Sequence, residues 1–218
     1  MLRLVQAGEG AERPVVLLFL VGPHMDAALR TALGPRPCIV ADGTAGTGAT
    51  LPSLLAQTGA LVRGQPSGEV VLVGYSAGVA TVRAMLRAGA KPKGVVAIDG
   101  THASKPPLPW QLSVWRSLAT QAEAGHALFV ATHTRNTYVE KLRPPDVPYL
   151  STWSVLQLVT GQTLEEDGPL EHPHCLALAP ENAPGVGFYV YSYMSKTCDT
   201  DAHSKQQTVA LPMVLARH

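Results

Sequence analysis

The sequence predicts an α/β protein, a mostly parallel sheet of about six strands with helices on both faces, in a single domain over residues 1–218. Three observations predict it. Short, continuous apolar runs recur along the chain, as in strands covered on both faces rather than one. Helical patterns separate them, and strand–helix alternation pairs strands in parallel through crossovers. The composition, 46% hydrophobic and 15% charged over 218 residues, suits a well-buried domain with its own core.

The apolar runs are 15–21, 38–41, 69–73, 94–98, 127–131 and 187–193. A helical pattern over 25–33 follows the first and one over 51–62 the second. The pattern over 77–88 carries Val79, Val82, Met85 and Leu86 on one face and stops at Gly89. Further helices are expected over 110–124 and 151–160. Ser204 and Gln207 read as a capping box opening a last helix, which Pro212 should kink or split.

One junction carries chemistry. Gly74-Tyr75-Ser76-Ala77-Gly78 falls where the run Val70 to Val73 gives way to a helix. A serine on so sharp a strand-to-helix turn has its hydroxyl raised above the sheet edge, and the turn admits only small residues two before and two after it. In a parallel sheet the site lies at the carboxyl ends of the strands. The strand exits there carry Gly22-Pro23-His24, Asp42-Gly43-Thr44, Ser76, Asp99-Gly100-Thr101-His102, Thr132-His133-Thr134 and the segment 191–203.

With this order of elements and this serine elbow, the chain resembles an α/β-hydrolase, and a short one without a large cap. Only about ten residues, Thr101 to Gln111, are available where the family usually inserts one. The resemblance implies the chain order nucleophile, acid, histidine. It assigns Ser76 as nucleophile and His203, expected in a loop between the last strand and last helix, as base. The expected family position for the acid, after the fifth predicted strand, holds no carboxylate. Asp99, one strand earlier, is the favoured replacement, with Asp199, Asp201, Glu140 and Asp146 as alternatives. Asp99 also reads as a strand-end carboxylate capping nearby backbone amides. The oxyanion donors are expected to be the backbone N–H groups of Ala77 and, because Pro23 has none, His24.

These residue types suit acyl chemistry. A serine hydroxyl needs a base to take its proton as it attacks, and imidazole titrates near neutrality. A carboxylate on the far ring nitrogen fixes the tautomer and stabilises the imidazolium. Tyr75, His102 and His133 are candidate pocket-lining residues on the same rim. His126 reads as structural, and His172 with His174 lack the second half of a zinc ligand set. The stretch Gly43 to Gly48 lacks the Gly-Lys-Ser/Thr ending of a nucleotide loop and reads as a wall of the site's mouth. Trp110, Trp115 and Trp153 are either small flaps over the rim or packing residues.

A net charge of +1 with scattered cations gives no nucleic-acid surface, and the longest apolar run is too short to cross a bilayer. No signal peptide is seen and the three cysteines cannot all pair. The expected setting is therefore cytoplasmic, with Cys38 a small buried side chain and a Cys175–Cys198 bridge disfavoured. The expected activity is hydrolysis of carboxylic esters with short, accessible acyl groups, needing no cofactor or metal. Its partner would be a small-molecule ester, and oligomeric state is left open. A thioesterase, acyltransferase or amidase would use the same site, and a non-catalytic binding protein on the same fold is the remaining alternative.

Overall fold

Among the described residues eight strands form the main sheet and, numbered in chain order, lie side by side as β1-β3-β2-β4-β5-β7-β10-β9. The computed structural model describes residues 2–8, 14–41, 51–59, 69–134, 149–164, 174–178, 185–193 and 200–218. The strands are β1 (Leu2–Gln6), β2 (Val15–Phe19), β3 (Cys38–Ala41), β4 (Val70–Tyr75) and β5 (Gly94–Ile98), then β7 (Leu128–Thr134), β9 (His174–Ala177) and β10 (Gly187–Tyr193). Two short strands, β6 (Ala103–Ser104) and β8 (Tyr149–Leu150), pair separately.

The inner six strands pair in parallel and correspond to the six apolar runs. The sheet is larger than the sequence predicts because β1 and β9 add antiparallel edges. Edge strands have less surface to bury, so their apolar signal is diluted. In β1, Arg3 and Gln6 interrupt it, and β9 opens at His174, just after Pro173.

Side chains alternate between faces along each strand. Val15, Leu17 and Phe19 join one core with α2 (Leu51–Gly59), α3 (Gly78–Arg87), α4 (Pro109–Glu123) and α5 (Thr152–Thr160). Val16 and Leu18 face the other core, with α1 (Asp26–Leu33) and the C-terminal helix. Trp115 is fully buried in the first core, stacked on Phe129, which stacks in turn on Phe188. Trp110 lies under the guanidinium groups of Arg83 and Arg87, and half-buried Trp153 packs on the first core. All three tryptophans pack against neighbouring elements of the fold.

The chain's last segment departs from expectation. Helix α6 (Thr200–Lys205) begins before Ser204, which is therefore mid-helix and caps nothing. A π turn (Gln206–Ala210) continues it into α7 (Leu211–Arg217), and Leu211 N–H donates to Gln206 O. Pro212 has no N–H to give and its ring needs room in the preceding turn. The widened turn supplies that room, so the expected break becomes a π segment.

Cys38 is buried in β3 and its thiol is pushed up to about 12, chiefly by burial. Cys175 is a free thiol in β9, and Cys198 lies outside the described residues. No described helix is long and apolar enough to cross a membrane.

Candidate active site

From β2 the chain turns to β3 on one side, whereas β4 lies on the other side of β2. In an open parallel sheet the carboxyl ends flanking such a reversal form a crevice. Ser76 leaves β4 at this point. It has φ +52°, a left-handed conformation that few non-glycine residues adopt, and its N–H donates to Ile98 O at 2.9 Å. Val79 N–H then bonds back to Ser76 O at 3.0 Å, closing the elbow.

The flanking glycines are required by space. A Cβ on Gly74 would stand 2.7 Å from the backbone of Val79, and one on Gly78 would stand 2.4 Å from Phe19 O. The elbow is thus pressed against the exit of β2. On its other side, a Cβ on Gly100 would stand 2.3 Å from Ser76 O. It is held between two strand exits.

Asp99 leaves β5 with φ +42° and no solvent exposure, its N–H bonded to Thr132 O at 3.1 Å. Its Oδ2 accepts from His203 Nδ1 at 2.7 Å, and His203 is only 7% exposed. The structure therefore brings these two residues together across 104 positions of sequence. His203 sits on helix α6 rather than in a loop, because the helix starts at Thr200. A histidine on a helix is held by backbone hydrogen bonds that a loop would lack.

The other expected residues are placed as follows. Ala77 is the exposed N-cap residue of α3, at the helix end where backbone N–H groups lack internal acceptors. His24 lies in a single 3-10 turn (Pro23–Met25) after β2 and is exposed, its ring folded back over Gly22. Tyr75 packs behind His203, with ring centroids 4.8 Å apart and its hydroxyl on His203 O at 3.1 Å. His102 sits after β5, Nδ1 3.4 Å from Thr152 Oγ1, while Arg83 holds its carbonyl at 2.6 Å. Burial lowers the His102 pKa, against the opposing pull of Asp99. Asp201 lies on α6 two residues before His203. Asp199, Glu140, Asp146, His172 and the stretch Gly43 to Gly48 lie outside the described residues.

His133 is inside β7, not on a loop leaving it, because that strand runs to Thr134. It is fully buried, with Nε2 2.9 Å from Ser192 Oγ on the paired strand β10. Burial lowers its pKa from 6.5 to about 4, more than nearby Asp99 can offset. Below pH 6.5 the unfolded chain takes up this proton while the folded protein resists until about pH 4. The contribution to stability is complete above pH 6.5 and lost as pH falls toward 4, about 3 kcal/mol in all. Urea unfolding of wild type and His133→Gln across that window should show their stability difference shrinking by this amount. A pH-independent difference would contradict it.

Two residues of the site were not anticipated. Gln206 is fully buried and its Oε1 accepts from Thr132 Oγ1; Gln207 Nε2 donates to Leu20 O at 3.2 Å. Leu20 follows β2 at φ +61°, so Gln207 ties the π turn to a strained strand exit. Their signal was available, since positions three and four after a helical histidine share its face. Reading His203 as loop hid it.

Comparison of the sequence with protein-family models and with curated proteins found no match.

Proposed function

We propose that the chain is a serine hydrolase of α/β-hydrolase type, cleaving carboxylic esters through Ser76, His203 and Asp99. One observation carries this reading: a buried carboxylate bonded to an imidazole, on the rim where a glycine-flanked serine turns out of the sheet. With Nδ1–H donated to Asp99, the neutral ring carries its lone pair on Nε2.

The reaction then follows from known roles. Ser76 Oγ attacks the acyl carbon as His203 Nε2 takes its proton, and the carbonyl π electrons move onto oxygen. Backbone N–H groups of Ala77 and His24 would hold that oxyanion. Collapse expels the alcohol, which receives the proton from His203. Water repeats the sequence on the acyl-enzyme, losing its proton to His203 and releasing the acid and Ser76.

A fluorophosphonate probe should label the folded protein at Ser76, and Ser76→Ala should carry no adduct. Absence of labelling in folded wild type would overturn the reading. The segment between β5 and α4 is short, which supports a preference for short acyl groups. In a chain-length series of p-nitrophenyl esters, kcat/KM should peak at the short end, and fastest turnover on long chains would refute that preference.

A further inference from the structure

We propose that Tyr75 is a positioning residue that holds the His203 imidazole in register with Asp99, coupling the serine elbow to the helix that carries the base. This rests on His203 being the base of the proposed reaction.

Tyr75 is the last residue of β4 and immediately precedes Ser76. Its side chain joins the core face that Ala210 of the π turn and Leu211 and Val214 of α7 also occupy. The residue before the nucleophile is thus directed toward the element that bears His203. Two contacts follow. The phenol ring stacks on the imidazole at 4.8 Å between centroids, with planes 27° apart. The phenol hydroxyl donates to the His203 carbonyl at 3.1 Å, fixing the backbone from which that ring hangs.

The hydrogen bond from Nδ1 to Asp99 is a pivot. The ring could rotate about it and carry Nε2 away from the serine without breaking it. A flat ring laid against the imidazole blocks that rotation, and the hydroxyl bond stops the helix turn from sliding. Because Tyr75 and Ser76 are neighbours in the chain, nucleophile and base are positioned from one short stretch of backbone. Tyr75 is 9% exposed and its ring is committed to His203, so it acts through the base rather than on substrate.

The test pairs kinetics with proton NMR of the unliganded protein, where the hydrogen-bonded His203 Nδ1 proton gives a far-downfield signal. Tyr75→Leu keeps apolar bulk and loses both contacts; kcat should fall about 10²-fold with KM within about 2-fold, as for a reacting group displaced by about 1 Å. Its downfield signal should broaden through faster exchange. Tyr75→Phe keeps the stacked ring and should retain kcat within about 10-fold, with the signal still resolved and exchanging faster than in wild type. Should Tyr75→Leu not fold, Tyr75→Phe decides by its exchange rate. A wild-type kcat and signal in Tyr75→Leu, or wild-type exchange in Tyr75→Phe, would overturn the proposal. The NMR readout needs no turnover. Loss of the signal without any esterase activity in wild type would refute the function and leave the positioning role standing.

Discussion

Asp99→Asn should lower kcat by about 10⁴-fold while leaving the fold intact, because in serine triads this exchange reverses the tautomer of the base. His203 Nδ1 donates to Asp99 Oδ2 at 2.7 Å in a site with no solvent at the carboxylate. An asparagine can turn its NH₂ toward Nδ1, which must then accept, and Nε2 becomes protonated and useless as a base. The choice of asparagine matters because Asp99 has φ +42°. Asparagine tolerates this conformation where alanine or leucine would add strain, so a fall in activity reports on chemistry rather than on a distorted strand exit. Circular dichroism and urea unfolding would confirm the fold, and steady-state kinetics on a short-chain ester would read the loss. A loss below about 10-fold would point to an acid elsewhere on the rim.

The six parallel strands were legible because continuous apolar runs leave little choice of environment. The two antiparallel edges were not, since one face of each faces fewer neighbours and the polar residues there break the run. Ser76 could be read from local pattern alone. Its glycines are needed within a few residues of chain, so their spacing is written in the sequence. Asp99 and His203 are different, because only the topology of the sheet brings positions so far apart within a hydrogen bond. Chain order and strand position favoured Asp99 but left four other carboxylates open. Tyr75 shows a further limit. Its place beside Ser76 suggested a pocket wall, whereas the side of the sheet it faces decides that it packs against His203.

Gly100→Ala is expected to damage stability and catalysis together, and for one reason. Gly100 is not among the glycines with positive φ, so the defect is one of space. Its added Cβ would fall 2.3 Å from Ser76 O, 2.5 Å from Val79 Cγ2 and 2.7 Å from Val79 Cβ. A side-chain tip could rotate aside, but a backbone oxygen moves only with its residue, and that residue is Ser76. The elbow cannot retreat in the other direction either, because Gly78 already sits where a Cβ would meet Phe19 O at 2.4 Å. The chain must therefore shift as a unit or spread the exits of β2 and β5. Overpacking of this kind costs about 1–3 kcal/mol, and a displacement near 1 Å at the serine costs about 10²-fold in rate. The expected result is a lower urea midpoint with an unchanged slope, together with phosphonate labelling slowed by about 10²-fold under conditions where the protein is fully folded. Labelling at the wild-type rate would mean that the strand exits yield without moving Ser76, and that the elbow's geometry does not depend on the contact between Gly100 and its carbonyl.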